Sequence, residues 1–587
     1  MPDTHFSQTV ARPGLPQIEP ERIDDLPLAL GLLQRMGVSQ IMDAHLGAGH
    51  GNRRGLSYGQ LAHAFCARII TAQDHRLVSV EPWAQDHQRL LSRLLGAPVG
   101  DKDFSDDRLA DLLYALGSAS PDTREAIETD LGQHLVRAYR LPTEVGRADT
   151  TTVSVYHERL AEAEGLLQFG RSKDHRPDLR QYVQALGTLD PAGIPLVTAT
   201  VDGNCGDPPL YLPLWRRMVK VIGHAEWLFV GDSKLHSAQN LAEIHRAGGW
   251  VLTPLQMTGH MPEHFAQWLR QQPKRLTPLY LPEANGNQRR VGRGYEVTHT
   301  LTWKDPESGE TVSVPLRVFM VQRDAFKKKQ LHGLHQRLQR AEAAVKKLHG
   351  QRCDTPAEQA DLEAEVQAQL TAAAVSEYLS VRVHWRTQQE EKLVGRGRPG
   401  PQRRTQTLTY HLARVTIWRK PAAIRAYEQA AGWRAYATNV PASGLTLPQA
   451  VEKYAGQWQP ERGFERLKGG WLRVAPVFLR TDEHIRGLMF LLSIVLRAFT
   501  LIEFVVRREL QAQHATLAGL YDGVPRKTTA RPTTERLLNA FQGITLLQIR
   551  VGQQIHYQLS GFSALHRRIL ELLGLPSSLY TALEDNF

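Results

Sequence analysis

Apolar residues recur at three- and four-residue spacing through positions 26–36, 61–70 and 109–116, which predicts a helical region from about residue 21 to 140. Ser105 stands where an N-cap belongs, and Asp106 and Asp107 follow it, where the positive end of a helix favours acids. Past residue 140 the period shortens. β-Branched residues dominate 145–156, and apolar runs at 181–189 and 194–201 flank the turn Asp190-Pro191-Ala192-Gly193, which predicts a hairpin. A helical stretch at 210–222, a strand ending at Asp232, a helix at 237–246 and a strand at 250–255 come next. This alternation predicts an α/β fold with its first core segment at 141–255.

From 256 to 432 the pattern changes to strand-like runs at 279–281, 295–303, 312–321, 378–385 and 408–418, interrupted by two helices, so a mainly β insertion is expected. The first of these helices, about 325–348, carries the seam Leu334, Leu338, Ala341, Val345 and Leu348. The second opens with Thr355-Pro356-Ala357-Glu358, a capping box with proline in first position, and continues the seam with Leu362, Val366, Leu370 and Ala373. Lysines crowd the first helix and acids the second, which predicts an antiparallel helical hairpin. His332 and His335 on the first helix lack a third ligand and read as part of a solvated face. The core resumes at 433–510 with a strand at 433–439, a helix through Glu461 and an apolar run at 487–496. Arg497 and Glu503 cut that run short of a membrane span, which predicts a buried core helix. A flexible tail at 1–20 and a helical end domain at 511–587 complete the expected layout.

Composition narrows the partners. Lys and Arg number 71 against 60 Asp and Glu, a net charge of +11, which favours a polyanionic partner. The three cysteines, Cys66, Cys205 and Cys353, form no paired motif, so neither a disulfide framework nor a structural zinc site is expected, and a reducing cytoplasm suits the chain. Two basic, glycine-bearing segments suit phosphate contact: one carries Arg53 and Arg54, the other Lys392, Arg396, Arg398, Arg403 and Arg404 with no acid among them.

Candidate chemistry rests on acids in unfavourable places. Asp149 interrupts one apolar strand and Asp232 closes another. A carboxylate there needs a cation, and several carboxylates without a fixed basic partner point to a divalent metal. On neighbouring strands the two acids would lie about one strand spacing, about 5 Å, apart. Downstream, Tyr454, Gln457, Glu461 and Lys468 fall on one stripe of a continuous helix at about 100° per residue, with Trp458, Phe464 and Leu467 on an apolar edge. Continuity requires a kink at Pro460, since proline inside a helix deletes a hydrogen bond; a fresh helix start is the other solution. Glu465 rivals Glu461 as the third acid.

Together, Asp149, Asp232 and the spacing Tyr454-x2-Gln457-x3-Glu461-x6-Lys468 resemble the DDE transposases of bacterial insertion sequences, in the branch with the signature Tyr-x2-Arg-x3-Glu-x6-Lys. Gln457 replaces the arginine. Segments 172–181, Asp202-Gly203-Asn204 and Asp106-Asp107-Arg108-Leu109 are similar to that family as well. The resemblance implies an RNase H-like core with Asp149, Asp232 and Glu461 as catalytic acids holding two Mg²⁺ or Mn²⁺ ions. It also implies a helical N-terminal domain that reads transposon ends, double-stranded DNA as partner, and a homodimer on DNA. Tyr454, Gln457, Lys468 and, as a substitute for the missing arginine, Arg462 would contact phosphates. A non-cleaving DNA-binding relative and a nuclease without strand transfer remain alternatives at this level.

If the segment from Lys392 to Arg404 contacts a phosphate backbone, neutralising its five charges should weaken binding to all DNA sequences alike. The salt slope of binding should then fall by up to about 0.9 for each lost contact; an unchanged slope would reduce the segment to a linker.

Overall fold

The computed structural model describes residues 16–47, 55–156, 165–283, 286–395 and 404–584. A nine-stranded sheet runs through its centre, in the order Ile194–Asp202, Arg180–Leu189, Val145–Val155, Leu228–Val230, Trp250–Pro254, Trp433–Thr438, Thr311–Arg323, Gln288–Lys304, Thr277–Pro282. The first three strands are antiparallel neighbours, joined in part by the predicted turn at Asp190 to Gly193, while Val145–Val155, Leu228–Val230 and Trp250–Pro254 run parallel. Parallel neighbours require crossovers, and helices Pro208–Ile222 and Ala238–Arg246 supply them in chain order. The α/β class is as expected.

The insertion divides in two. Its first three strands do not form a separate domain: Thr311–Arg323 pairs with the returning strand Trp433–Thr438 and so extends the central sheet. Edge-to-edge pairing of this kind leaves no signature in a strand's own residues. The second part is a small unit of its own. Helices Asp324–Lys346 and Pro356–Ala372 pack through Leu334, Leu338, Ala341 and Val345 against Leu362, Val366 and Leu370, the seams expected from spacing. They cover a ribbon of Leu379–Leu393 and Thr405–Arg419, with Arg352–Cys353 added at its edge. Thr355 caps the Glu358 N–H as foreseen; the Glu358 carboxylate takes the N–H of Asp354.

The chain ends also differ from expectation. Gln17–Arg22, placed in a flexible tail, pairs with Thr545–Val551, and that strand forms a hairpin with Gln554–Ser560 inside the segment read as helical. Gln17–Arg22 offers only Ile18 as an apolar side chain to pattern, whereas Gln554–Ser560 does alternate through Ile555, Tyr557 and Leu559, a strand signal inside the segment expected to be helical.

Helix Asp482–Ala512 is the axle of the assembly. Its most apolar stretch is long enough to cross a membrane, but 94% of that window is buried inside the protein, which makes it a core helix. It lies against Asp106–Ser118 so closely that a Cβ on Gly117 or Gly487 would strike the backbone of the opposing helix. The two charges that interrupt its apolar run are buried with partners. Arg497 is 0% exposed and pairs at 2.8 Å with Glu128, itself 1% exposed. It also donates to the carbonyls of Pro195 and Leu196. Glu128, on helix Pro121–Tyr139, further accepts from Thr198 of the edge strand and from Arg217. One carboxylate thereby joins the N-terminal helices, the sheet and the core helix.

Removing it strands a buried guanidinium. Glu128→Ala should cost about 3 to 5 kcal/mol in denaturant unfolding, and Glu128→Gln, which keeps an acceptor oxygen, should cost less. Equal losses for the two variants would mean that the retained acceptor oxygen contributes nothing and that the charge accounts for the whole loss.

Candidate functional site

The central strand Val145–Val155 is buried at every position but one, and the half-exposed residue is Asp149. Parallel pairing with the neighbouring strand ends at Arg147 opposite Val230. Asp149 and Asp232 are each two residues beyond that last pair, so the two acids stand in matched register where the shorter strand stops, while the strand of Asp149 runs on to Val155 paired with its other neighbour. Burial raises the Asp149 carboxyl; the Thr150 N–H, at 2.8 Å, and Lys173 oppose this, while Asp232 and Glu461 add to it, and the result is about 6. Asp232 is held from two sides, its Oδ1 accepting from the Tyr211 hydroxyl at 2.6 Å and the Lys234 N–H at 2.9 Å.

Glu461 comes from a different helix than expected. Leu447–Ala455 stops, Gly456 and Gln457 turn the chain, and Trp458–Lys468 begins anew, with Glu461 exposed in its first turn. Pro460 sits in that first turn, where its missing N–H has no intrahelical partner to lose, so a fresh start replaces the expected kink. The single stripe is therefore broken. Asp149, Thr150, Thr151 and Lys173 on one side and Glu461, Glu465 and Lys468 on the other line an open cleft of about 610 Å³; Asp232 is not among its lining groups.

The rest of the expected stripe separates by environment. The Tyr454 ring packs 4.7 Å from that of Tyr436, and burial, followed by Tyr436 and Asp232, pushes its hydroxyl well up. Gln457 does not stand in for a phosphate-gripping arginine, because its Oε1 accepts from Arg147 Nη1 at 3.3 Å. Arg147 is fully buried, clamped by Asp190 at 2.6 and 2.7 Å and by the Lys453 carbonyl. Arg462 is not a substitute cation either: both its terminal nitrogens bind Glu503, at 2.6 and 2.8 Å, on the side of the helix that faces the core. Lys468 remains at the cleft, paired with Asp174 at 2.8 Å. Lys392 and Arg404 are exposed near the end of the ribbon, whereas Arg396, Arg398, Arg403, Arg53 and Arg54 lie outside the described residues.

A supporting network escaped the sequence reading. Lys173 donates to the Thr150 carbonyl and hydroxyl, Thr150 donates to Asp207 at 2.6 Å, and Lys234 reaches Asp207 at 2.8 Å. Burial works against the Asp207 charge, but hydrogen bonds from Lys234 and Thr150 outweigh it, so its carboxyl lies below the usual range. Arg147 carried one signal: a lone cation in an apolar strand, two residues before Asp149 and so on the same face.

Carboxylate oxygens are the donors a hard divalent cation prefers, and Asp149 senses the charges of both Asp232 and Glu461. Their spacing is wider: among the described residues no three His, Cys, Asp or Glu side chains are gathered closely enough to enclose an ion.

Comparison with known proteins adds little. No family model matches the chain, and no curated protein does. Among solved structures, a piggyBac transposase synaptic complex with hairpin DNA is similar over 51% of this chain at 12% identity, with a TM-score of 0.23; the match spans 62% of that transposase chain. A likeness this slight carries no argument about fold or activity.

Gln457→Arg would set a second guanidinium against Arg147 and remove an acceptor from it. A loss of about 1 to 3 kcal/mol is expected in thermal or denaturant unfolding, the reverse of the gain that a restored family arginine would bring. Glu503 supplies a pH test. Burial raises its carboxyl, but Arg466, Arg462 and Arg507 together hold it below the ordinary glutamate value. Its contribution to stability is therefore complete above the unfolded-state value of 4.5 and fades as pH falls through the lower folded value. Stability measured against pH should lose part of this acid dependence in Arg462→Ala.

Proposed function

We propose that this chain is a DDE-type DNA transposase, which cuts phosphodiesters at the ends of a mobile element and joins the freed 3′ ends to target DNA. The observation that carries the reading is the matched register of Asp149 and Asp232 just past the point where two adjacent parallel strands stop pairing, with Glu461 facing Asp149 across one cleft. Three antiparallel strands followed by two parallel ones, joined by crossover helices, support an RNase H-like core for the same residues.

Asp149 and Asp232 would hold a divalent ion, Mg²⁺ or Mn²⁺, and Glu461 would join them or hold a second; such ions neutralise charge on the phosphoryl oxygens and acidify a bound water or hydroxyl. The chain's own residues set the stage for this. Tyr211 and the Lys234 N–H occupy Asp232 Oδ1, so Oδ2 would be the oxygen offered to an ion. The Thr150 N–H does the same for Asp149 Oδ1. Lys173 and Lys468 stand on either side of the cleft and attract a phosphate backbone, and Lys468 would exchange its exposed partner Asp174 for it. The surplus of 71 basic over 60 acidic side chains supports double-stranded DNA as the substrate.

Cleavage of a plasmid carrying the element's ends tests this. Asp149→Ala, Asp232→Ala and Glu461→Ala should each abolish Mg²⁺- or Mn²⁺-dependent cutting while end binding and melting temperature stay close to wild type. Glu465→Ala should still cut. Cleavage by the Glu461 variant with none by the Glu465 variant would transfer the role of third acid to Glu465.

A further inference from the structure

A second basic site lies apart from the acid cleft, where the open edge strand Ile194–Asp202 meets three helices. Arg124 from helix Pro121–Tyr139, Arg217 from Pro208–Ile222 and Arg486 from Asp482–Ala512 converge on a half-enclosed pocket of about 220 Å³, floored by Phe490 and walled by Thr198 and Thr200. Like charges do not gather in a confined space without something to offset them. The local acids are already committed. Glu128 is shared between Arg217 and Arg497, Glu125, which also lines the pocket, is bound by Lys220, and Asp202 reaches Arg486 only at 3.6 Å. Five cations thus face three carboxylates.

The guanidinium groups also have capacity to spare. Arg217 gives one terminal nitrogen to Glu128 and the Thr198 carbonyl, which leaves its Nε buried with no acceptor among the described residues. Arg124 uses one terminal nitrogen on the carbonyls of Gly117 and Ala119. Burial, and then the charges of Arg486 and Arg217, hold its guanidinium below the usual arginine range. A bound anion would relieve that repulsion. Arginine forks match tetrahedral oxyanions in two-pronged fashion.

We propose that this pocket binds a phosphate group between Arg124, Arg217 and Arg486. Either free phosphate or a backbone phosphate of nucleic acid supplies that chemistry, and two arms of one experiment separate them. Neither arm depends on cleavage, so failure here leaves the catalytic reading untouched. In the first, full-length protein is titrated calorimetrically with inorganic phosphate and with pyrophosphate, and its melting temperature is compared in phosphate and in chloride at equal ionic strength. Wild type and the surface control Lys102→Gln should bind phosphate and melt higher in it. Arg486→Gln should bind about tenfold more weakly or worse, and Arg486→Lys, which keeps the charge but loses the fork, should fall between. Arg486 is the variant of choice because its ion pair is long and partly exposed, so its loss leaves the fold intact, as an unchanged melting temperature in chloride would verify.

In the second arm, a duplex of arbitrary sequence is bound across a salt series. If the backbone is the source, Arg486→Gln should lower the salt slope by about 0.9 and free phosphate should compete with DNA. An unchanged slope alongside phosphate binding assigns the pocket to free phosphate. The proposal is overturned if wild type binds phosphate no better than chloride and Arg486→Gln leaves the slope unchanged.

Discussion

A buried carboxylate must be neutralised, and the way this chain neutralises Glu503 sets the geometry of the acid cleft. Three guanidinium groups meet it, Arg462 and Arg466 from helix Trp458–Lys468 and Arg507 one turn along its own helix. Arg462 and Arg466 are four residues apart, so they share a face, and pinning that face to the core helix turns outward the face lying about 100° round from it. Glu461, Glu465 and Lys468 are what that outward face presents to the cleft. Breaking such a cluster by removing one partner costs far more than its net contribution, and that penalty holds the short helix in one orientation.

The same logic recurs at two other places in the fold. Arg147, buried in the central strand, is held by Asp190 and by the chain leading into the Glu461 helix, and so ties that helix to the strand bearing Asp149. Glu128 and Arg497 tie the N-terminal helices to the sheet edge and the core helix. Charges inside a protein are tolerated only with partners, and each partner here belongs to a different segment of the chain. The buried ions act as registration points between elements that apolar packing alone would let slide.

Around the acids the balance is different. Asp149 keeps its charge among other negative groups, with Lys173 and one N–H as counterweight, and its carboxyl rises to about 6. An acid cluster left short of cations is unfavourable for folding by itself and favourable for a cation ligand. Phosphates suit the opposite imbalance in the Arg124, Arg217 and Arg486 pocket.

Much of this was legible from one-dimensional pattern. The α/β alternation, the hairpin at Asp190 to Gly193, the helical pair with its seam of Leu334, Leu338, Leu362 and Val366, and the burial of the 487–496 run all follow from local periodicity and turn chemistry. The prominence of Asp149 and Asp232 also follows, because an acid in an apolar strand is costly wherever that strand ends up. Other features depend on contacts between residues far apart in the chain, which no local pattern encodes. Strand Thr311–Arg323 could join the central sheet or form its own, and only its pairing with Trp433–Thr438 decided it. The family resemblance implies phosphate contacts for Gln457 and Arg462; a fresh helix start at Trp458 and the distant charges of Arg147 and Glu503 engage them instead. Composition and period determined which elements form and which acids are out of place, while tertiary structure alone decided which cations are consumed by buried partners and which line a cleft or a pocket.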